Sequence, residues 1–298
     1  MGSREPVVRV QPAWPDPKAV LRVIRGAGPY RPLARYAASE AEQRASGGAG
    51  GVFVPPWFRA DVALEGQVLV SGGEVLLENA AFVDAAARVF GGEPVVDPTT
   101  VYVNVMTPCA YPFIAHLDVP VFRGRSRRNT PTWLLKVMHA SGLFEAERID
   151  LATAVSWFYA GPGGHFHYWP DGPDNDPSVE RAPFDNVAVV ADNEHVYHGV
   201  GPVGDVHDPS PDDLTLDAEL RHGRPAGSSP TVDGSPSSTR TGWCGSRHRG
   251  RPRCSPTPTS GSGSDRPPGP CRSTRSSTGS VGTSGNAHRR SHSRTRTG

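Results

Sequence analysis

Cysteine is almost missing from the first 223 residues: Cys109 is the one thiol there, and Cys244, Cys254 and Cys271 all fall later. A single cysteine cannot build an internal disulfide framework, which excludes the small disulfide-stapled classes and favours a reducing compartment. No apolar run reaches the roughly 18 residues of a membrane-spanning helix, and the opening MGSREPVVRV lacks the apolar core of a signal peptide. A cytoplasmic protein with no membrane partner is the expectation. From Arg224 onward Leu, Ile, Phe, Tyr, Met, Lys and Glu are all absent. Such a segment has too little apolar surface to offset the entropy of ordering it.

What replaces them is Ser, Thr, Gly, Pro and Arg. The 13 Arg and two acids (Asp233, Asp265) of residues 224–298 give +11, which against a total of +1 leaves −10 for residues 1–223. Three readings fit this segment: a solvated, disordered tail, a nucleic-acid arm whose guanidinium groups neutralise phosphates, or an out-of-frame translation of a GC-rich gene. The out-of-frame reading is the favoured one, and nucleic acid is the least favoured partner.

Residues 1–97 read as helices and a hairpin that pack on a core formed by residues 98–223. Asp16 is a helix N-cap, Pro17 takes the first helical position and the helix runs to Arg25, with Gly26 just past its end. A Gly-rich linker spans Ser46–Gly51. In QVLVSGGEVLL, Gly72-Gly73 reads as a hairpin turn. Asn79 caps a second helix ending at Gly91-Gly92, with Phe82, Val83, Ala86, Val89 and Phe90 on its core face.

Residues 98–223 change texture. The runs TVYVNVM, ATAVSWFYA, HFHYW and NVAVVADN are short and β-rich, with Pro, Gly and Asp between them, which predicts a sandwich or barrel of strands. A helix is predicted over Thr132–Phe144, its stripe formed by Trp133, Leu134, Val137, Met138 and Leu143. The class is thus mainly β with flanking helices.

The chemistry concentrates in FIAHLDVP. His116 and Asp118 are two apart, so on a strand both side chains leave one face and Leu117 leaves the other. A metal site needs a third ligand from elsewhere, and His198 follows a strand-like run and a turn that can return it. Two imidazoles and a carboxylate occupy one face of an octahedron and leave the other open.

VYVNVMTPCAYPFIAHLDVP, WFYAGPGGHFHYWPDGP and APFDNVAVVADNEHVYHGVGPV, in that order over residues 98–204, resemble the Fe(II)/2-oxoglutarate-dependent oxygenases, whose fold is the double-stranded β-helix, a form of jelly roll. The resemblance implies that His116, Asp118 and His198 hold Fe(II). It also implies that 2-oxoglutarate is cosubstrate with O2, decarboxylated to succinate as a substrate is hydroxylated. That substrate, a small or amino-acid-like molecule, is not named by the residues.

One feature departs from the family. Its usual basic anchor for the far carboxylate of 2-oxoglutarate lies about ten residues after the distal histidine, where a guanidinium pairs bidentately. Here GVGPVGDVHD contains no Arg or Lys, and Arg221 and Arg224 come first. Lys136 and Arg123 are substitute cations, and Tyr102 and Asn104 are candidate polar lining of the cosubstrate pocket. Trp157, Tyr159 and Trp169, with Tyr168, are candidate walls of a substrate pocket. Two other classes stay open: a non-catalytic scaffold that keeps the fold without the anchor, and a cupin-type metalloenzyme using His165 and His167 with Asp171.

Overall fold

The computed structural model describes residues 4–36, 54–92, 96–205, 207, 214–223 and, for the backbone, 238–247. The predicted linker Ser46–Gly51 lies outside the described residues. The strands are β1 (Val7–Val10), β2 (Arg31–Pro32), β3 (Trp57–Leu64), β4 (Gln67–Val68), β5 (Val96–Met106), β6 (Phe113–His116), β7 (Asp150–Phe158), β8 (Phe166–Trp169), β9 (Ser178–Glu180), β10 (Ala188–Ala191), β11 (Tyr197–Val200) and β12 (Ser238–Arg247). The helices are α1 (Pro17–Gly26), α2 (Glu74–Leu77), α3 (Ala80–Val89) and α4 (Thr132–Ser141).

Two antiparallel sheets form. The larger runs β1-β10-β7-β12-β5-β3-β2, with β4 added on β3, and the smaller runs β6-β11-β8-β9. From β5 onward the chain crosses from one sheet to the other at nearly every connection, the hairpin β8–β9 being the exception. That alternation is the winding of a double-stranded β-helix, the expected class.

Side-chain alternation gives the larger sheet two buried faces. Val101, Val103 and Val105 of β5 pack outward with Val20, Phe82, Ala86 and Val89. Met106, Val155 and Trp157 point inward, against Phe166 and Val200 of the smaller sheet. The outer layer depends on two well-capped helices. Asp16 accepts the amides of Lys18 and Ala19, and Asn79 accepts those of Ala81 and Phe82 while its own amide donates to the Ala13 carbonyl. Full burial of a side chain such as Phe82 is worth about 1.5–3 kcal/mol.

Several expectations are corrected. Gly72-Gly73 is no hairpin turn: β3 turns into β4 at Glu65 and Gly66, which both have positive φ, and Glu74–Leu77 is helical. Gly73 instead fits a gap in which a Cβ would come within 2.8 Å of Val62 and Val68. The helix predicted to Phe144 ends at Gly142 in a left-handed cap, and its buried residues are Leu135 and Met138, while Trp133, Val137 and Leu143 are exposed. β1, β2, β3 and β4, all from residues 1–97, join the larger sheet.

Residues 224–298 contribute one described strand. Ser238–Arg247 is a strand, hydrogen-bonded to β5 on one side and β7 on the other. Alternation of Thr239, Thr241 and Trp243 carries a strand signal that the composition of the whole segment hides. Without β12, β5 and β7 would each present an open edge in the middle of the sheet. A chain ending at residue 237 should therefore lose cooperative thermal unfolding and bind a hydrophobic dye, whereas one ending at residue 251 should melt like the full chain.

Candidate metal centre

His116 and His198 face each other across the β6–β11 ladder. The ladder is irregular next to them, because Val200 pairs with Phe113, not with the residue two from His116. The extra residue is a bulge. It lets Phe113 and His116, three apart, both turn inward while Ile114 and Ala115 stay exposed. The bulged backbone passes so close to Gly199 that a Cβ there would lie 2.9 Å from the Phe113 carbonyl oxygen and 3.0 Å from the Ala115 nitrogen.

Asp118 lies just beyond β6, held by its amide, which donates to the Asn193 carbonyl at 2.8 Å. One Asp118 carboxylate oxygen stands 3.8 Å from His116 Nε2 and 3.7 Å from His198 Nε2. These separations are too long for hydrogen bonds between the three. They converge with ligand atoms within 4.8 Å of one another, as a shared cation requires. His198 is buried, and His116 and Asp118 are partly open to solvent.

The backbone also sets which nitrogen is presented. His116 Nδ1–H donates to the Ile114 carbonyl at 2.9 Å, and His198 Nδ1–H donates to the Val196 carbonyl at 3.1 Å. A carbonyl only accepts, so in each neutral ring the proton sits on Nδ1 and the Nε2 lone pair faces Asp118. Phe113 packs edge-on against His116, and Phe166 lies beside His198, giving the site an apolar wall.

Among the described residues this is the one group of three or more His, Cys, Asp or Glu side chains that converges for a metal. His165 and His167 do not join Asp171 in such a group: His165 Nδ1 accepts the Ala182 amide, and His167 stacks on Trp169. Burial, aided by His165 and Arg181, lowers the pKa of His167.

The other candidates separate. Asn104 and Trp157 are buried on the inner face of the larger sheet, and Asn104 Oδ1 and Trp157 Nε1 have no hydrogen-bond partner among the described residues. Tyr102 shares that face, under the Arg59 guanidinium, whose carbon is 3.9 Å from the ring centre. Tyr159 is a packing residue, its hydroxyl donating to the Pro162 carbonyl of the Gly163-Gly164 turn. Trp169 alternates to the opposite side of β8 from Phe166. Lys136 is exposed on α4, and Arg123 is exposed and paired with Glu147. Neither cation is brought to the inner face, because each belongs to the solvent-facing insertion between β6 and β7. Arg127 and Arg128 of the same insertion are engaged by the Tyr36 carbonyl and Glu65.

Two cations were missed. Register places Arg59, Asn104, Arg240 and Trp157 in one row across β3, β5, β12 and β7.

Behind the ligands lies a buried charge network. Arg148 bonds Glu145, Asp150 and Glu194, and Asp192 takes His195 and Arg4. Burial, reinforced by Asp192 and opposed by Arg148, pushes the Glu194 carboxyl up to about 7. Its hydrogen bond to Asp192 raises the pKa of His195, and burial beside His195 lowers that of His139.

No family model matches the chain, and no curated protein does. Solved structures similar to it include an oxidoreductase of the 2OG-Fe(II) oxygenase family from Burkholderia pseudomallei, at 15% identity and a TM-score of 0.43 over 83% of this chain and 87% of that one. A prolyl-4-hydroxylase from Pseudomonas putida is similar at 16% identity and TM-score 0.39, over 83% and 94% of the two chains. A prolyl hydroxylase from Trichoplax adhaerens, in complex with a hypoxia inducible factor peptide, is similar at 11% and 0.37, over 80% and 83%. Likeness at this level is one of outline, and the chemistry of the site rests on its own residues.

Two outcomes are expected. Gly199→Ala must displace backbone on β6, a clash of the kind that costs about 1–3 kcal/mol, and should abolish tight metal binding measured by titration with Co(II). A carboxyl whose pKa is raised on folding stabilises fully below its unfolded value and loses that contribution as pH rises through its folded value. For Glu194 the loss therefore runs from the ordinary carboxylate range up through about 7. The melting temperature should fall more between pH 5 and pH 8 in the wild type than in Glu194→Gln. The expected difference is roughly 2–4 °C, the shift that 1 kcal/mol produces in a domain of 150–250 residues.

Proposed function

We propose that the protein is an Fe(II)/2-oxoglutarate-dependent oxygenase, acting on a small or amino-acid-like substrate. The observation that carries this reading is the convergence of His116, Asp118 and His198 at the edge of the smaller sheet of a double-stranded β-helix. Two neutral imidazoles and one carboxylate suit Fe(II) and leave coordination positions for other ligands. With 2-oxoglutarate and O2, iron held there supplies oxidation of a substrate C–H bond coupled to decarboxylation to succinate.

The chain's own residues support the fit. The backbone carbonyls of Ile114 and Val196 keep the Nδ1 protons in place, so both Nε2 atoms stay ready to ligate. Asn104 Oδ1 and the indole nitrogens of Trp57 and Trp157 are buried polar atoms lacking partners among the described residues. Buried polar atoms of this kind carry a desolvation cost unless something hydrogen-bonds them, and a polar cosubstrate between the sheets would do so. Arg240 stands in the same row as Asn104 and Trp157, which makes it the preferred anchor for a carboxylate in place of Lys136 or Arg123. Phe113 and Phe166 set apolar rings beside His116 and His198, while the Asp118 side stays partly open.

No described helix is long and apolar enough to cross a membrane, and a cytoplasmic location remains part of the proposal. Anaerobic Fe(II) titration followed by assay of succinate from 2-oxoglutarate tests the function. The wild type should bind one iron and form succinate, and His116→Ala should do neither. Arg240→Ala should keep iron affinity and raise the KM for 2-oxoglutarate by about 10-fold or more, as loss of a charge-assisted hydrogen bond of 1.5–3 kcal/mol implies. Iron binding without succinate across a panel of amino-acid-like substrates would instead identify a scaffold.

A further inference from the structure

The two histidines owe their placement to a ladder, since β6 and β11 are hydrogen-bonded neighbours. Asp118 has no such support, because β6 ends at His116. What holds it is a lacing of three segments outside the sheets. The Asp118 amide donates to the Asn193 carbonyl, the Val121 amide donates to Glu194 Oε1 at 3.3 Å, and the Ile149 amide donates to the Val121 carbonyl at 2.9 Å. The segments are the exit from β6, the entry to β7 and the turn before β11.

Arg148 closes this lacing. Its side chain is 6% exposed, and it reaches Glu194 at 3.2 Å, Asp150 at 2.9 Å and Glu145 at 3.1 Å. Glu194 and Asp150 are each 2% exposed. A buried ion pair contributes little net stability, since desolvation offsets most of its attraction, and its best-attested use is to fix register. The register fixed here is that of the turn carrying Asn193 and Val196. One end of that turn holds Asp118 through the Asn193 carbonyl, and the other orients His198 through the Val196 carbonyl.

We propose that Arg148 and Glu194 are positioning residues of the metal centre, a buried pair that sets Asp118 against His116 and His198 and thereby determines the affinity and geometry of the bound cation. The proposal rests on the reading of the triad as a metal site. Partners that orient metal ligands from behind typically cost 10–100-fold in affinity when lost.

The test uses the full-length protein and Co(II), whose visible absorption reports ligand geometry. Glu194→Gln keeps the shape of the side chain and an oxygen for the Val121 amide. It should bind Co(II) about 10–100-fold more weakly than the wild type, with shifted visible bands and unchanged circular dichroism. Arg148→Lys should recover part of the affinity lost in Arg148→Ala, because one ammonium can serve one carboxylate of the three. If Arg148→Ala does not fold, the isosteric Glu194→Gln decides. Affinity within twofold of the wild type and an identical spectrum, even with a lower melting temperature, would show a structural role alone and overturn the proposal. His116→Ala separates the two levels: if it binds Co(II) as the wild type does, the metal-centre reading fails and the positioning proposal with it.

Discussion

The pairing of β6 with β11 is the contact from which the site is built. It brings His116 and His198 opposite each other, and its irregularity turns Phe113 inward as a wall beside them. That irregularity is possible because residue 199 has no side chain, so a neighbouring backbone can occupy the volume of a Cβ. Main-chain hydrogen bonds then fix both rings. The placement of the two histidines is thus determined largely by backbone, which is stiffer than a constellation hung on long side chains.

Around this pairing the barrel separates its tasks by face. The outer face of the larger sheet is valine- and alanine-rich and packs under α1 and α3. The inner face carries tryptophans, Asn104 and Arg59, with polar atoms set among apolar ones. Asn104 Oδ1 and the indole nitrogens of Trp57 and Trp157 have no hydrogen-bond partner among the described residues, which in a tightly packed interior carries a desolvation cost. The acidic turn before β11 adds a third layer, in which charge is buried to hold one loop against another.

Much of this was legible in the sequence. Asp16, Pro17 and Asn79 announced their helices because capping is local chemistry, and the four apolar runs announced β5, β7, β8 and β10 because alternation is local too. The triad was legible through the spacing of His116 and Asp118 together with a resemblance in the order of motifs. The rest depended on tertiary placement. Lys136 and Arg123 were plausible cations until the fold put them on an exposed insertion. Arg240 was hidden by its neighbours' composition, and its register with Asn104 and Trp157 is something no window of sequence contains. The exchange of Gly72-Gly73 for Glu65-Gly66 as the turn shows how packing around Val62 and Val68 overrides turn propensity.

β12 lies between β5 and β7, two strands that precede it by a wide interval of chain. During synthesis, the N-terminal strands and both histidines emerge while the centre of the larger sheet still lacks its final member. Until residue 247 has cleared the ribosome, β5 and β7 offer two long unsatisfied edges to any other extended chain nearby. The order of the strands therefore makes the centre of the larger sheet one of the last parts of the described fold that can close.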